Sequence, residues 1–147
     1  MIDIYTKTFQ ELTTKELYDL LQLRVEIFCV EQNCVYQDLD GKDEKALHVI
    51  GKKNNEIIAY TRVFKPGDYF KEASIGRVVV SKEERQHKYG YDIMQASIKA
   101  VKDYYNKTTI KLSAQTYLIK FYNNLGVKEI GEEYLEDGIP HIAMVKY

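Results

Sequence analysis

What this chain is short of narrows its function before any motif is read. Cysteine occurs twice in 147 residues, as Cys29 and Cys34. That spacing fits neither a Cys-x-x-Cys redox pair nor a four-ligand zinc pattern, so two free thiols are the expectation. The three histidines, His48, His87 and His141, are scattered without metal-ligand spacing, and no metal is expected. Net charge is −1, from 21 basic and 22 acidic residues, which argues against nucleic acid as a partner. No apolar run approaches the roughly 20 residues of a membrane span. The start, Met1-Ile2-Asp3-Ile4, lacks the basic and apolar regions of a signal peptide. The expectation is therefore a cytoplasmic protein with no membrane partner. There is no charge block, internal repeat, low-complexity segment or linker, and the length suits one domain over residues 1–147 with a full core.

What is there centres on Ala73 to Tyr105. Ile75, Val78, Val79 and Val80 suit a buried strand. A charged turn follows at Ser81-Lys82-Glu83-Glu84-Arg85. From Gly90 the period becomes helical, with Met94, Ile98, Val101 and Tyr105 on one face. A strand that turns through a Gly-containing loop into a helix offers free backbone N–H groups at the helix start, where the dipole favours an anion such as phosphate.

Around this segment the chain reads as follows. Ile2 to Phe9 suits a strand. Thr13 with Glu16 forms a capping-box pattern, and Leu17, Leu20, Leu21 and Phe28 carry an apolar helix face to about Val30. Arg24 falls on that apolar side and needs a partner or a wet pocket. Glu31 to Asp43 is polar and acidic; it predicts a solvated loop, or one that faces the substrate and attracts an amine with its carboxylates. Ala46–Lys53 and Glu56–Phe64 predict a hairpin turned by Asn54-Asn55. Lys65-Pro66-Gly67-Asp68 is a loop. Thr108 to Ala114 predicts another strand, and Leu118, Phe121, Tyr122 and Leu125 a short helix stopped by Gly126. Val127–Leu135 and Ile139–Val145 close the sheet around Glu136-Asp137-Gly138. This order predicts an α/β or α+β fold, a sheet between helices.

Arg85-Gln86-His87-Lys88-Tyr89-Gly90 resembles the Arg/Gln-x-x-Gly-x-Gly/Ala loop of the GNAT N-acetyltransferase superfamily, with Lys88 standing where that family usually has Gly. Leu23-Arg24 through Phe28, Glu31-Gln32-Asn33-Cys34, Tyr36-Gln37-Asp38-Leu39-Asp40-Gly41, Gly76-Arg77-Val78, Phe121-Tyr122 and Asp137-Gly138-Ile139-Pro140-His141 resemble the ElaA-like branch. The resemblance spans nearly the whole chain. It implies a GNAT-like acyl-CoA N-acyltransferase fold: a central mixed, mostly antiparallel sheet flanked by helices.

It also implies a chemistry. Acetyl-CoA would be the co-substrate. The backbone of Val78, Val79 and Val80 would bind its pantetheine arm. The N–H groups of Gln86, His87, Lys88, Tyr89, Gly90 and Tyr91 would hold the diphosphate, with Arg85 and Lys88 adding positive charge. Tyr122 matches the Tyr that protonates the leaving CoA sulfur in the family; periodicity alone favours a core aromatic, and the resemblance reverses that preference. Glu31 and His141 are candidate bases, His141 being as readily a structural histidine. His48 leaves the face buried by Leu47 and Val49, which makes it a surface or pairing histidine. Arg77, inside the central strand, demands a carboxylate. Arg24, Arg77 and Gln115 are candidate substrate contacts. The acceptor would be an amine of a small molecule or protein, and the many tyrosines suit a homodimer contact. A longer acyl donor, as in the acyl-homoserine-lactone synthases, and a non-catalytic CoA-binding module are the alternatives.

Overall fold

In the computed structural model, which describes residues 2–147 and leaves Met1 outside, the helices are set by local signals. Helix α1 (Thr14–Val25) starts at Thr13, whose hydroxyl accepts from the Glu16 amide while the Glu16 carboxylate accepts from the Thr13 amide. A cap of this kind contributes about 1 kcal/mol. Past Val25 the helix continues to Glu31 but widens to π pitch, with Gln32 N donating to Ile27 O (3.2 Å) and Cys34 N to Cys29 O (3.0 Å). Such bulges cluster at functional sites, and this one turns Phe28 and Gln32 toward the cleft described below.

Strands β1 (Asp3–Thr8), β2 (Leu47–Lys53), β3 (Glu56–Phe64), β4 (Ala73–Val80), β5 (Ile110–Gln115), β6 (Lys128–Glu136) and β7 (Ile139–Lys146) form one sheet in the order β1-β2-β3-β4-β5-β7-β6. Every pairing is antiparallel except β4 with β5. Asn54 and Asn55 turn the β2–β3 hairpin with φ of 52° and 65°, the left-handed pair that matches strand twist. Helix α2 (Tyr89–Tyr105) covers one face, burying Ile93, Met94, Ala100 and Val101 against Val49, Ala59 and Val63. Helix α1 covers the other, with Leu20, Leu23 and Ile27 on Ile50 and Tyr60.

With both faces covered, alternation carries a β2 side chain from one buried face to another. His48 is therefore wholly buried, which corrects the expectation of a surface position and keeps that of a pairing one. Its Nε2 donates to Asp43 O (2.9 Å), so its Nδ1 accepts from the Tyr60 hydroxyl (2.6 Å).

The sheet splits in its middle. Between the pairs Tyr60–Val79 and Arg62–Gly76, β4 spends one residue more than β3. That bulge puts Arg77 at φ 50°, and such a bulge bends its strand. β4 meets β5 only at Ala73–Ile110 and Ser74–Lys111; beyond Ser74 the two strands part, while β5 stays paired to β7 as far as Gln115–His141.

Candidate active site

The gap between β4 and β5 opens into a cleft of about 460 Å³. One wall is Ile75 to Val80, and the other is Ser113, Gln115 and the segment of the short helix α3 (Ile119–Asn123), with Tyr117, Leu118, Phe121 and Tyr122. The cleft runs from Arg85, Lys88, Gly90 and Tyr91 at one end to Glu136, Asp137, Ile139 and His141 at the other.

At the first end, Lys82–His87 forms a 3-10 turn and Lys88 takes a left-handed conformation (φ 62°, ψ 27°) before α2 starts at Tyr89. Unlike α1, α2 has no side-chain cap, so its first amides are left for an outside acceptor. Gly90 is where the backbone comes close to α3: a Cβ there would lie 3.2 Å from the Phe121 ring. Arg85, Lys88, Gly90 and Tyr91 line the cleft; Gln86 and His87 are exposed outside it, and Tyr89 is buried beside His87. Arg85 donates to Val80 O (3.2 Å) and clasps Glu31 through both terminal nitrogens (2.8 and 3.0 Å). Glu31 thus sits on Arg85, not among the cleft-lining residues.

Midway, Val78, Val79 and Val80 face the gap along β4, and Tyr122 lies opposite, 4% exposed. Burial pushes the Tyr122 phenol well above its ordinary value, with Tyr117 adding to the rise, so the hydroxyl keeps its proton at neutral pH.

Arg24 is not in the cleft. It is fully buried, with Nε on Asp38 (3.0 Å) and Nη1 on Asp43 (2.7 Å). Arg62 from β3 reaches Asp40 (2.8 Å) and Asp43 (3.1 Å). Arg77 from the bulge donates to Asp38 O (2.9 Å), and its Nε lies 2.8 Å from Asp38 Oδ1, off the N–H axis. Three arginines from three elements thus neutralise Asp38, Asp40 and Asp43. Burial raises the Asp40 carboxyl, but Arg62 outweighs it and holds the pKa at about 2. The loop is largely exposed, as expected of a solvated one, but Asp38, Asp40 and Asp43 are held by arginines of the protein itself, which corrects the reading of them as free attractors of an amine. What it lends the cleft is Cys34 and Tyr36, the latter's hydroxyl donating to Asp38 (2.8 Å). Arg77 does line the cleft, with the predicted carboxylate partners supplied by the protein itself.

At the far end Gln115 and Gln32 exchange side-chain hydrogen bonds across the cleft (3.2 and 3.4 Å). His141, 7% exposed, has Nδ1 2.7 Å from Ile139 O and Nε2 3.5 Å from Glu136 Oε2. Glu136 Oε1 accepts from Ser113 Oγ (3.3 Å), which also bonds the Tyr134 hydroxyl. Glu136 and Ser113 escape the sequence reading. The sequence pattern puts Glu136 in a turn, whereas it is the last residue of β6, and only the hairpin register sets it beside His141.

The family model described as the Acetyltransferase (GNAT) domain matches residues 16–147. The chain belongs to the GNAT acetyltransferase family. Within it, protein ElaA of Escherichia coli is 40% identical over 99% of this chain and 97% of its own length. The crystal structure of E. coli ElaA superposes at a TM-score of 0.93 over the full length of both. That of an acyl-CoA N-acyltransferase from Pseudomonas aeruginosa reaches 0.92 at 39% identity, over 99% of each chain. This GNAT chain is thus of the ElaA-like branch, and its reaction class is N-acyl transfer from an acyl-CoA. The acyl-homoserine lactone synthase BjaI, solved with SAM and isopentyl-CoA, shares the fold at 15% identity and a TM-score of 0.77, over 99% of this chain and 82% of its own.

Proposed function

We propose that this GNAT protein transfers an acetyl group from acetyl-CoA to a primary amine of a small molecule or protein, by direct attack while both substrates are bound. The observation that carries this reading is the continuity of the cleft, from the uncapped start of α2, past Tyr122, to the β6–β7 turn. A diphosphate would take the amides of Tyr89 and Gly90 and the charges of Arg85 and Lys88, Arg85 turning from Glu31 to do so. The free edge of β4 at Val78 to Val80 would bind the pantetheine arm and polarise the thioester carbonyl. The amine nitrogen attacks that carbon, the C–S bond breaks, and Tyr122 hands its proton to the sulfur as negative charge develops there. Glu31, paired with Arg85 and outside the cleft lining, is poorly placed for proton removal. The two unpaired thiols suit a reducing compartment, in keeping with a cytoplasmic protein.

A longer acyl donor is the second reading, favoured by Gly76: a Cβ there would meet nothing within 4 Å, on the cleft wall. Thiol release measured with acetyl-CoA and a series of longer acyl-CoAs over an amine panel decides between them. Tyr122→Phe should fold and bind CoA as the parent does, yet lose about 10²–10⁴-fold in the chemical step. Undiminished turnover in that variant would remove Tyr122 from the reaction.

A further inference from the structure

Glu136 and His141 meet in a way that their own chemistry leaves unfinished. Ile139 O can only accept, so the proton of a neutral His141 resides on Nδ1 (2.7 Å) and the lone pair is on Nε2. That lone pair faces Glu136 Oε2 at 3.5 Å. Two acceptors confront each other across a gap longer than the roughly 2.7–2.9 Å of a charge-assisted hydrogen bond. Both line the cleft, and His141 is more than nine-tenths buried. Ser113 fixes the other oxygen of Glu136, and the nearby Asp137 adds a second negative charge to the wall. Arg77, which also lines the cleft, is already matched by Asp38 and Asp40.

We propose that Glu136 and His141 are the acceptor-amine receptor of this enzyme, taking a protonated primary amine that donates one N–H to Glu136 Oε2 and one to His141 Nε2. This deepens the acyl-transfer reading and rests on it for the chemical step. The N–H bond directed at Nε2 breaks, its electron pair stays on nitrogen, and the proton forms an imidazolium paired with Glu136. The nitrogen lone pair then makes the C–N bond. The C–S pair leaves with sulfur, which takes the Tyr122 proton, and the second proton lost by nitrogen restores Tyr122. His141 discharges to solvent, so the sum is ammonium plus acyl thioester giving amide, thiol and one proton. Glu136 binds and orients; His141 is the base.

The test uses the intact protein loaded with CoA and follows the His141 ring by NMR. The probes are n-butylammonium and n-butyltrimethylammonium, which carry the same charge but differ in N–H donors. The first should shift the ring signals saturably and the second should not. Glu136→Gln, at a side chain nearly half exposed, should weaken the n-butylammonium response about tenfold, as expected for a lost charge-assisted bond. It should also raise KM for amines with KM for the acyl-CoA unchanged. Equal responses to both probes, or an unaltered response in Glu136→Gln, would overturn the assignment. A parallel CoA titration keeps the two readings apart: failure to bind CoA would remove the acyl-transfer reading, while the amine titration still judges this one.

Discussion

At the scale of single residues, Lys88 shows a conflict between backbone and charge. Its φ of 62° is the conformation glycine accepts most readily, and a residue with a Cβ gives up about 1–2 kcal/mol to hold it. The compensation is an ammonium on the lining of the cleft, at the end where the proposed diphosphate would bind. Lys88→Gly should therefore fold with unchanged or slightly higher stability, since relief of strain exceeds the roughly 0.4–1 kcal/mol of added unfolded-state entropy. Lys88→Ala, which keeps the strain, gains nothing. Both variants should bind CoA several-fold more weakly at low salt and approach the parent at high salt, where exposed charges are screened. Urea denaturation and CoA titrations at two ionic strengths check this. Equal salt dependence in all three proteins would show that the ammonium contributes no field at the site.

At the scale of elements, what was legible from the sequence is what short-range chemistry dictates. The Asn54-Asn55 hairpin, the Thr13 capping box and the periodic face of α2 each depend on neighbours within a turn, and each lies within a residue or two of its expected bounds. The strand, turn and helix start that lead into α2 and the place of Tyr122 on its short helix were legible too, as residue patterns. What could not be read depends on register between distant segments. The bulge at Arg77 and the parting of β4 from β5 exist only once β3 and β4 are paired. The loop from Glu31 to Asp43 is polar and largely exposed, yet Asp38 is buried and Asp40 and Asp43 are half-buried, because Arg24, Arg62 and Arg77 converge on them from three elements 15 or more residues apart. This loop therefore stands on its ion pairs. Removing one partner of a buried network costs about 3–5 kcal/mol, because uncompensated charge stays behind. Arg24→Met should lower stability by that order and loosen residues 32–43, seen as faster amide exchange there. Because the loop supplies Cys34 and Tyr36 to the far end of the cleft, KM for the amine should rise while CoA affinity holds. If exchange in that loop were unchanged, the loop would owe its order to something other than Arg24.

At the scale of the whole molecule, the same network makes stability depend on pH in two stages. His48 is neutral in the fold: burial lowers its pKa, and Arg24 and Arg62 lower it further against the opposing Asp43. Unfolded, it titrates near pH ~6.5. The native pKa lies below the unfolded one, so the stability tied to neutral His48 is complete above about pH 6.5 and falls as acid takes the pH toward the native value. The carboxylates act lower down. For Glu16, burial raises the pKa, but the Thr13 amide, Lys7 and Lys52 outweigh it and hold it at about 2; Asp40 is likewise at about 2, and Asp43 is lowered by Arg24 and Arg62 against its own burial. Their stabilisation is present above the unfolded carboxylate values near pH ~4 and is lost as pH drops toward 2. Each proton taken up only on unfolding tilts stability by as much as about 1.4 kcal/mol per pH unit. Urea midpoints should hardly change from pH 8 to 7, decline through a shallow step below about 6.5, and fall steeply below about 4. His48→Gln, which keeps one donor and one acceptor toward Asp43 and Tyr60, should lose the upper step and retain the lower. A parent protein with flat midpoints between pH 7 and 5 would mean that His48 accepts a proton within the fold as readily as outside it, and so that its site beside Arg24 and Arg62 is less closed to water than its burial indicates.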